Sequence, residues 1–312
     1  MIISASRRTD IPAFYSDWFF KRIAEEFCIV KNPFNPSQTY RVSLMPEDVD
    51  AIVFWSKNPE AIIHRLPELD AMGFRYYFQF TLNNYPKELE GGVPPLKKRI
   101  GTFIRLSNML GFERVIWRYD PIIISNITGH DYHYDKFSSL CEKLGGYTKR
   151  VMVSVVEYYK KTVRNLKRLE PDGYKFDFDA RQGEATDVLL EKMAKIANNH
   201  GIEILSCAQV RNYEELGIKP GSCVDGELIN RLWGLDLHVK KDPGQRKFCL
   251  CSVSKDIGMN DTCTHDCPYC YATKNHDVAL KRYKEHNPNS PCMYGECTKA
   301  GKTAAEQQVQ LF

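Results

Sequence analysis

Six short β-rich runs, each followed by a helical pattern, constrain the fold of this chain more than any other feature. They lie at residues 2–4, 51–55, 76–80, 115–117, 151–155 and 202–205. Several are unbroken apolar or aromatic runs, such as Ala51-Ile52-Val53-Phe54-Trp55, as expected of parallel strands buried on both faces. Helical patterns fall at 17–26, 60–72, 96–110, 136–144, 161–169 and 186–199, with Gly73, Gly111 and Gly145 at positions suited to helix ends. Repeated strand–helix units predict an α/β fold with a parallel sheet, drawn as a partial (β/α) TIM-like barrel of about six strands. No internal repeat is visible at the level of sequence.

Two loops punctuate this pattern. Asn32-Pro33-Phe34-Asn35-Pro36 reads as a rigid turn joining a hairpin of residues 28–31 and 39–43, and Gly91-Gly92-Val93-Pro94-Pro95 reads as a second loop. Beyond Gly217 loops and cysteines dominate, with helices expected near 226–235 and 271–285. The chain is therefore divided into a barrel core, 1–216, and a cysteine-rich extension, 217–312, packed on it as one structural unit. The tail from Cys292 is expected to be loosely ordered, with Val309, Leu311 and Phe312 able to dock.

The 43 basic and 39 acidic residues among 312 leave a net charge of +4, too small by itself to argue for nucleic acid. Met1-Ile2-Ile3-Ser4-Ala5-Ser6-Arg7-Arg8 lacks the basic and apolar regions of a signal peptide. No apolar run reaches the roughly 20 residues of a membrane span. A cytoplasmic protein without membrane contact is expected.

Cysteine usage is unusual. There are 11, and nine lie between Cys207 and Cys297; only Cys28 and Cys141 precede them. In a reducing compartment a disulfide framework is not expected, and clustered thiols point to soft metal ligation. The sharpest cluster is Cys263-Thr264-His265-Asp266-Cys267-Pro268-Tyr269-Cys270. Three thiolates at C-x3-C-x2-C spacing suit a 4Fe–4S cluster with one iron left without a protein ligand. Structural zinc, the competing ligand, usually takes two separate cysteine pairs. His265 sits inside this segment, where it either tunes the site or faces solvent. The other histidines show no metal-ligand spacing.

The triplet, with the aromatic Tyr269 before its last cysteine, resembles the signature of the radical S-adenosylmethionine (SAM) superfamily. The resemblance implies a full or partial (β/α) barrel. It also implies SAM bound at the open iron and a 5′-deoxyadenosyl radical formed by reductive cleavage. The triplet usually follows the first strand, whereas here it follows all six strand candidates. The chain is more similar to an uncharacterised bacterial and archaeal family with the motif near its C-terminus. The similarity extends to the opening segment from Ile3 to Pro12, to Val53-Phe54-Trp55-Ser56-Lys57-Asn58, to Trp117-Arg118-Tyr119-Asp120-Pro121 and to Ser254-Lys255-Asp256-Ile257-Gly258. No clear Gly-Gly-Glu segment follows the cluster helix.

A second set, Cys207, Cys223, Cys249 and Cys251, is expected to hold a further 4Fe–4S cluster or zinc. Cys292, Cys297, Cys28 and Cys141 are read as incidental. Polar residues also recur after the strand candidates, where α/β folds place their sites. Arg7, Arg8, Asp10, Lys57, Arg118 and Asp120 are the catalytic candidates. Asn58, Thr81, Gln209 and Tyr269 are the cofactor-binding candidates. Glu157 and Tyr158 occupy a similar position after the 151–155 run. All are expected to converge on one cavity beside the triplet, with Arg7 and Arg118 gripping an anionic group and Asp120 orienting an arginine or a SAM hydroxyl. The competing reading is a structural Arg–Asp ring.

A radical SAM-like enzyme is thus the leading expectation. It would draw electrons from an external reductant such as flavodoxin or ferredoxin and act on a small anionic molecule, a peptide or a nucleic acid. The alternatives are a non-catalytic zinc- or iron–sulfur-binding protein that recognises a ligand or nucleic acid, or an electron carrier.

Overall fold

The computed structural model describes residues 1–33, 35, 37–297 and the backbone of 302–303. The proposed docking residues Val309, Leu311 and Phe312 lie outside the described residues. All six strand candidates form strands: β1 (Ile2–Ala5), β4 (Ala51–Ser56), β5 (Tyr76–Thr81), β6 (Val115–Ile122), β7 (Arg150–Val155) and β8 (Glu203–Cys207). Antiparallel β2 (Phe27–Lys31) and β3 (Thr39–Ser43) form the hairpin.

The main sheet has eight strands rather than about six. Its edges are β9 (Lys219–Gly221) and β10 (Ser254–Asp256), and its order is β10-β1-β4-β5-β6-β7-β8-β9. The pairs β1–β10, β1–β4, β5–β6, β6–β7, β7–β8 and β8–β9 are parallel. Parallel pairing brings the C-terminal ends of neighbouring strands together, which is where the polar residues sit.

The chain divides into two compact units. The first holds residues 1–77, 254–266 and 272–312, and the second holds 78–253 and 267–271. In the first, α1 (Ile11–Phe14), α2 (Ser16–Ala24), α3 (Glu60–Ile63) and α4 (Leu66–Ala71) accompany β1 to β4. The expected helix 60–72 breaks between α3 and α4 because Pro67 lies at the start of the second helix and has no N–H to continue the first. Trp18, Phe19 and Phe54 are buried there, with the Phe19 and Phe54 rings 5.3 Å apart.

In the second unit α5 (Leu96–Leu110) stops at Gly111, whose φ of +89° suits glycine. It is followed by α6 (His130–Leu144), α7 (Lys160–Leu166), α8 (Glu184–Asn199) and α9 (Gly226–Trp233). Phe80 packs on Phe103 at 5.1 Å and Trp117 stacks on Phe137 at 5.0 Å, binding α5 and α6 to the sheet. Burying each such ring contributes about 1.5–3 kcal/mol.

The described part of the tail, residues 292–297, is held to the rest of the first unit. Cys292 and Met293 are buried, Ile29 N–H donates to Pro291 O at 2.8 Å, and His286 Nδ1 meets Met293 O at 2.7 Å. A disulfide joins Cys292 to Cys297, so these two cysteines are not incidental. Their Cα atoms are 6.2 Å apart, within bridging range. The last described helix, α10 (His276–Lys284), starts at Asn275, whose side chain accepts from Asp277 N–H at 2.7 Å.

Candidate functional site

In the first unit the strand ends are organised around Asp256, the last residue of β10. Its carboxylate accepts from Ser4 Oγ at 3.0 Å, Ser6 Oγ at 2.6 Å, Arg7 N–H at 2.8 Å, Arg8 Nε at 3.1 Å and Gly258 N–H at 3.0 Å. Burial alone would raise its pKa; the charge of Arg8, the Ser6 hydroxyl and Arg7 outweigh that and hold it below the usual carboxylate range. Arg8 and Asp256 form an ion pair beyond the end of β1.

Asp10 performs three tasks at once. Its Oδ1 caps α1 by accepting from Ala13 N–H at 3.0 Å, and its Oδ2 accepts from Lys57 N–H at 2.8 Å. The same Oδ2 lies 2.6 Å from His265 Nε2, with both side chains buried. His265 is therefore a core residue with an acidic partner, and Phe14 packs edge-on against it at 4.6 Å. Arg7 lies over the Trp55 ring at 5.4 Å. Asn58 N–H donates to Ser56 Oγ at 3.0 Å, while its Oδ1 is buried with no hydrogen-bond partner among the described residues. Cys263 adjoins Thr262, whose carbonyl accepts from the buried Tyr15 Oη at 2.7 Å.

In the second unit Arg118 is 5% exposed and fully engaged by its neighbours. One nitrogen donates to Cys223 Sγ at 2.7 Å and Gln79 Oε1 at 3.4 Å, and another pairs with Asp120. The two residues are separated by one position on β6, so their side chains share a face of the strand. Asp120 also accepts from Ser154 Oγ, and its backbone N–H donates to Asn83 Oδ1 at 3.0 Å. Burial would depress the Arg118 pKa, but Cys223 and Asp120 keep it well above its ordinary value.

The second cysteine set comes together beside this arginine. Cys207 Sγ and Cys223 Sγ are 3.1 Å apart. Cys251 lies near both Cys223 and Cys249 and perturbs their thiols. The bond from Cys223 brings the Cys207 thiol down to about 7 against the effect of burial, with Arg118 acting in the same direction. The Cys223 thiol is pushed well above its ordinary value by its bonds to Cys207 and Cys251 and by burial. Val224 N–H points to Cys251 Sγ at 3.4 Å.

Cys267 and Cys270 belong to the second unit as well, whereas Cys263 belongs to the first. Cys270 N–H donates to Cys267 O at 2.9 Å, closing a tight turn. Between them Tyr269 is buried, and its Oη donates to Glu90 Oε1 at 2.6 Å. Glu90 lies 3.7 Å from the buried Arg99, whose pKa burial lowers. Arg99 in turn donates to Pro94 O and Asn83 O, both at 2.9 Å. The turn thus rests on a chain of buried polar contacts rather than on a loose loop. All three triplet cysteines are partly exposed and outside any disulfide.

A cavity of about 660 Å³ in the second unit is lined by Glu157, Tyr158, Phe178, Arg181, Arg211 and Tyr213, among others. Tyr158 Oη is buried without a hydrogen-bond partner among the described residues, and its ring meets Phe178 edge-on at 4.8 Å. Glu157 and Tyr158 thus do line a cavity, but Thr81, Arg118, Asp120 and Gln209 are not part of its wall. Gln209 Nε2 donates to Cys207 O at 3.1 Å and to Val155 O at 3.4 Å. Among the described residues no trio of His, Cys, Asp or Glu stands ready around a metal ion.

Sequence reasoning missed Asp256 as a hub and Gln79 as the partner of Arg118. Asp256 lies far along the chain from Arg8 and on a short charged strand; the segment Ser254–Gly258 stands out by resemblance, but only the two arginines after β1 hint at its role as their partner. Gln79 is a lone polar residue inside the apolar run Tyr76-Tyr77-Phe78-Gln79-Phe80, which is itself a signal. It donates to Cys223 O at 2.8 Å.

Fold and side chains define a mixed α/β protein whose parallel strands end in partly buried ion pairs and, in the second unit, in cysteines backed by an arginine. The chain belongs to the family described as Domain of unknown function (DUF1848), whose profile matches residues 2–272. That family is not a radical SAM family, so the superfamily membership inferred from the triplet and Tyr269 is corrected. A three-cysteine spacing specifies a donor set and does not by itself define ancestry. No curated protein and no solved structure matches the chain.

Proposed function

We propose that this protein is an iron–sulfur enzyme that holds a 4Fe–4S cluster on Cys263, Cys267 and Cys270 and cleaves SAM reductively. The proposal rests on the chain's own donor set and not on superfamily membership. The observation that carries it is the burial of Tyr269 onto Glu90, which leaves Cys267 and Cys270 as partly exposed thiols on one tight turn. Three thiolates and no fourth ligand within the segment are the donor set such a cluster needs for substrate chemistry. Bound there, the cluster would keep one iron open to the amino and carboxylate groups of SAM and supply the electron that breaks its sulfur–carbon bond, giving methionine and a 5′-deoxyadenosyl radical.

The chain's own residues would serve this chemistry by holding ligands and excluding water. Asn58 Oδ1, a buried acceptor lacking a partner, suits a ligand N–H. Arg7 over Trp55 offers a guanidinium to a carboxylate or phosphate. Asp10 and His265 brace the loop that carries Cys263. A radical on a primary carbon attacks whatever it meets, so its substrate must be held close and kept dry. Strand order supports an opened barrel as the scaffold. From β1 through β4, β5, β6 and β7 to β8 each main-sheet strand lies beside its predecessor, without the reversal of a doubly wound sheet. A cytoplasmic setting, with a flavodoxin- or ferredoxin-like reductant as partner, follows from the same reading.

The test is anaerobic reconstitution with iron and sulfide. Wild type should bind about four irons and four sulfides at this site, and the triple Cys263→Ala, Cys267→Ala, Cys270→Ala variant should lose that sulfide. Tyr269→Phe, which removes the hydroxyl that donates to Glu90 Oε1, should retain less cluster than wild type. Equal sulfide in the triple variant and wild type would reject the proposal.

A further inference from the structure

We infer that Cys207, Cys223, Cys249 and Cys251 form a second site, for a single tetrahedral thiophilic ion such as zinc rather than a second cluster. The inference stands apart from the SAM reading, since none of these residues belongs to the triplet. Its basis is a contacting pair of thiols, Cys207 and Cys223, with two more cysteines brought beside them from a third stretch of chain, an arrangement that an ion would have to draw together. Cys207 ends β8, Cys223 follows β9, and Cys249 and Cys251 come from the segment before β10. Cys223, Cys249 and Cys251 are buried. Cys207 Sγ and Cys223 Sγ touch at 3.1 Å, and Cys251 Sγ lies 3.4 Å from the backbone nitrogen of Val224, the residue after Cys223.

The spacing argues for one ion. With zinc–sulfur bonds of about 2.3 Å, a tetrahedral centre sets its sulfurs about 3.8 Å apart. The Cys207–Cys223 separation is 3.1 Å, so these two sulfurs would part by only about 0.7 Å to accept the ion. A cubane places each cysteine on a different iron, on corners much farther apart, and would require the pocket to open widely.

Electrostatics point the same way. Four thiolates around a divalent ion carry an excess of negative charge, which a buried site must offset. Arg118 contacts Cys223 Sγ at 2.7 Å, and Val224 N–H points to Cys251 Sγ at 3.4 Å. Both are donors of the kind that neutralise metal-bound thiolates. The local structure also has a use for the ion. Residues 235–253 contain no helix and only one isolated bridge, Lys241 to Ser252, yet Cys249 and Cys251 are buried. A structural ion would hold this irregular segment to the ends of β8 and β9.

The experiment uses the full chain carrying Cys263→Ala, Cys267→Ala and Cys270→Ala, so that the triplet contributes nothing, with Co²⁺ alone as the probe. One Co²⁺ per chain is expected, with thiolate-to-cobalt charge transfer and the intense visible bands of tetrahedral coordination. Zinc should displace it and abolish the bands. Adding Cys223→Ser should weaken cobalt binding at least tenfold in protein that keeps its circular dichroism. If that variant does not fold, the fractional loss of thiol alkylation on adding zinc to the triple variant decides instead, four protected thiols being the expected result. Absence of the cobalt bands overturns the inference. So does sulfide-containing cluster bound by the triple variant after reconstitution.

Discussion

His133 shows how one buried residue couples fold to pH. Its Nε2 lies 3.0 Å from Ile123 O, a carbonyl that only accepts, so the proton sits on Nε2. Nδ1 then accepts from Tyr119 Oη at 2.8 Å, and the neutral ring is fully satisfied. Burial brings its pKa down to about 4, whereas in the unfolded chain it takes its ordinary value near 6.5. The unfolded state therefore binds the proton first as pH falls. Stability contributed by this residue is intact above about pH 6.5 and declines toward pH 4, by about 3 kcal/mol in all. Urea midpoints measured across this window should fall more steeply for wild type than for His133→Phe. Parallel curves would refute the assignment. Asp10 is the second residue with a measurable role. Asp10→Ala removes a helix cap and two further buried contacts, and an unfolding free energy lower by about 3 kcal/mol is expected from urea titration. A loss below about 1 kcal/mol would mean that water or neighbours replace it.

At the scale of elements, the junction of β1 and β10 depends on close approach. A Cβ on Gly258 would stand 2.0 Å from Ser6 Oγ and 2.5 Å from Ser6 Cβ, so no side chain fits without moving the Asp256 network. Gly258→Ala should lower thermal stability by about 1–3 kcal/mol, an overpacking cost. Calorimetry showing no change in melting temperature would contradict this packing. The apolar strands were legible because runs such as Val151-Met152-Val153-Ser154-Val155 are buried on both faces of a parallel sheet. The edge strands were not. Lys219–Gly221 contains a proline and Ser254–Asp256 contains two charges, so neither shows the apolar run that marks an interior strand. They exist because a neighbour offers open backbone groups, a cause that lies outside the segment itself. The proximity of Cys207 and Cys223 follows the clustering of cysteines late in the chain. Their partner Arg118 was read as a ligand-gripping residue; its contacts with Cys223 and Asp120 arise from pairings between strands that local sequence does not encode.

For the whole molecule, parallel sheet topology gathers the chemistry at strand ends. Ser4 lies in register with Asp256, and Ala5 lies in register with Phe54, which brings Arg7 and Arg8, Lys57 and Asn58, and the β10 carboxylate into one neighbourhood of the first unit. Thr81 pairs with Arg118 and Val153 with Ser206, bringing the ends of β5 to β8 together in the second. No helix of the described residues is long and apolar enough to cross a membrane. Reductive cleavage of SAM at Cys263, Cys267 and Cys270, as proposed above, is open to direct assay. The most direct measurement is anaerobic incubation of cluster-loaded protein with SAM and dithionite, with 5′-deoxyadenosine quantified by chromatography. Wild type should release 5′-deoxyadenosine over time, and the triple alanine variant should release none above the dithionite blank. A wild-type protein that carries its full cluster and yields no 5′-deoxyadenosine would contradict the account.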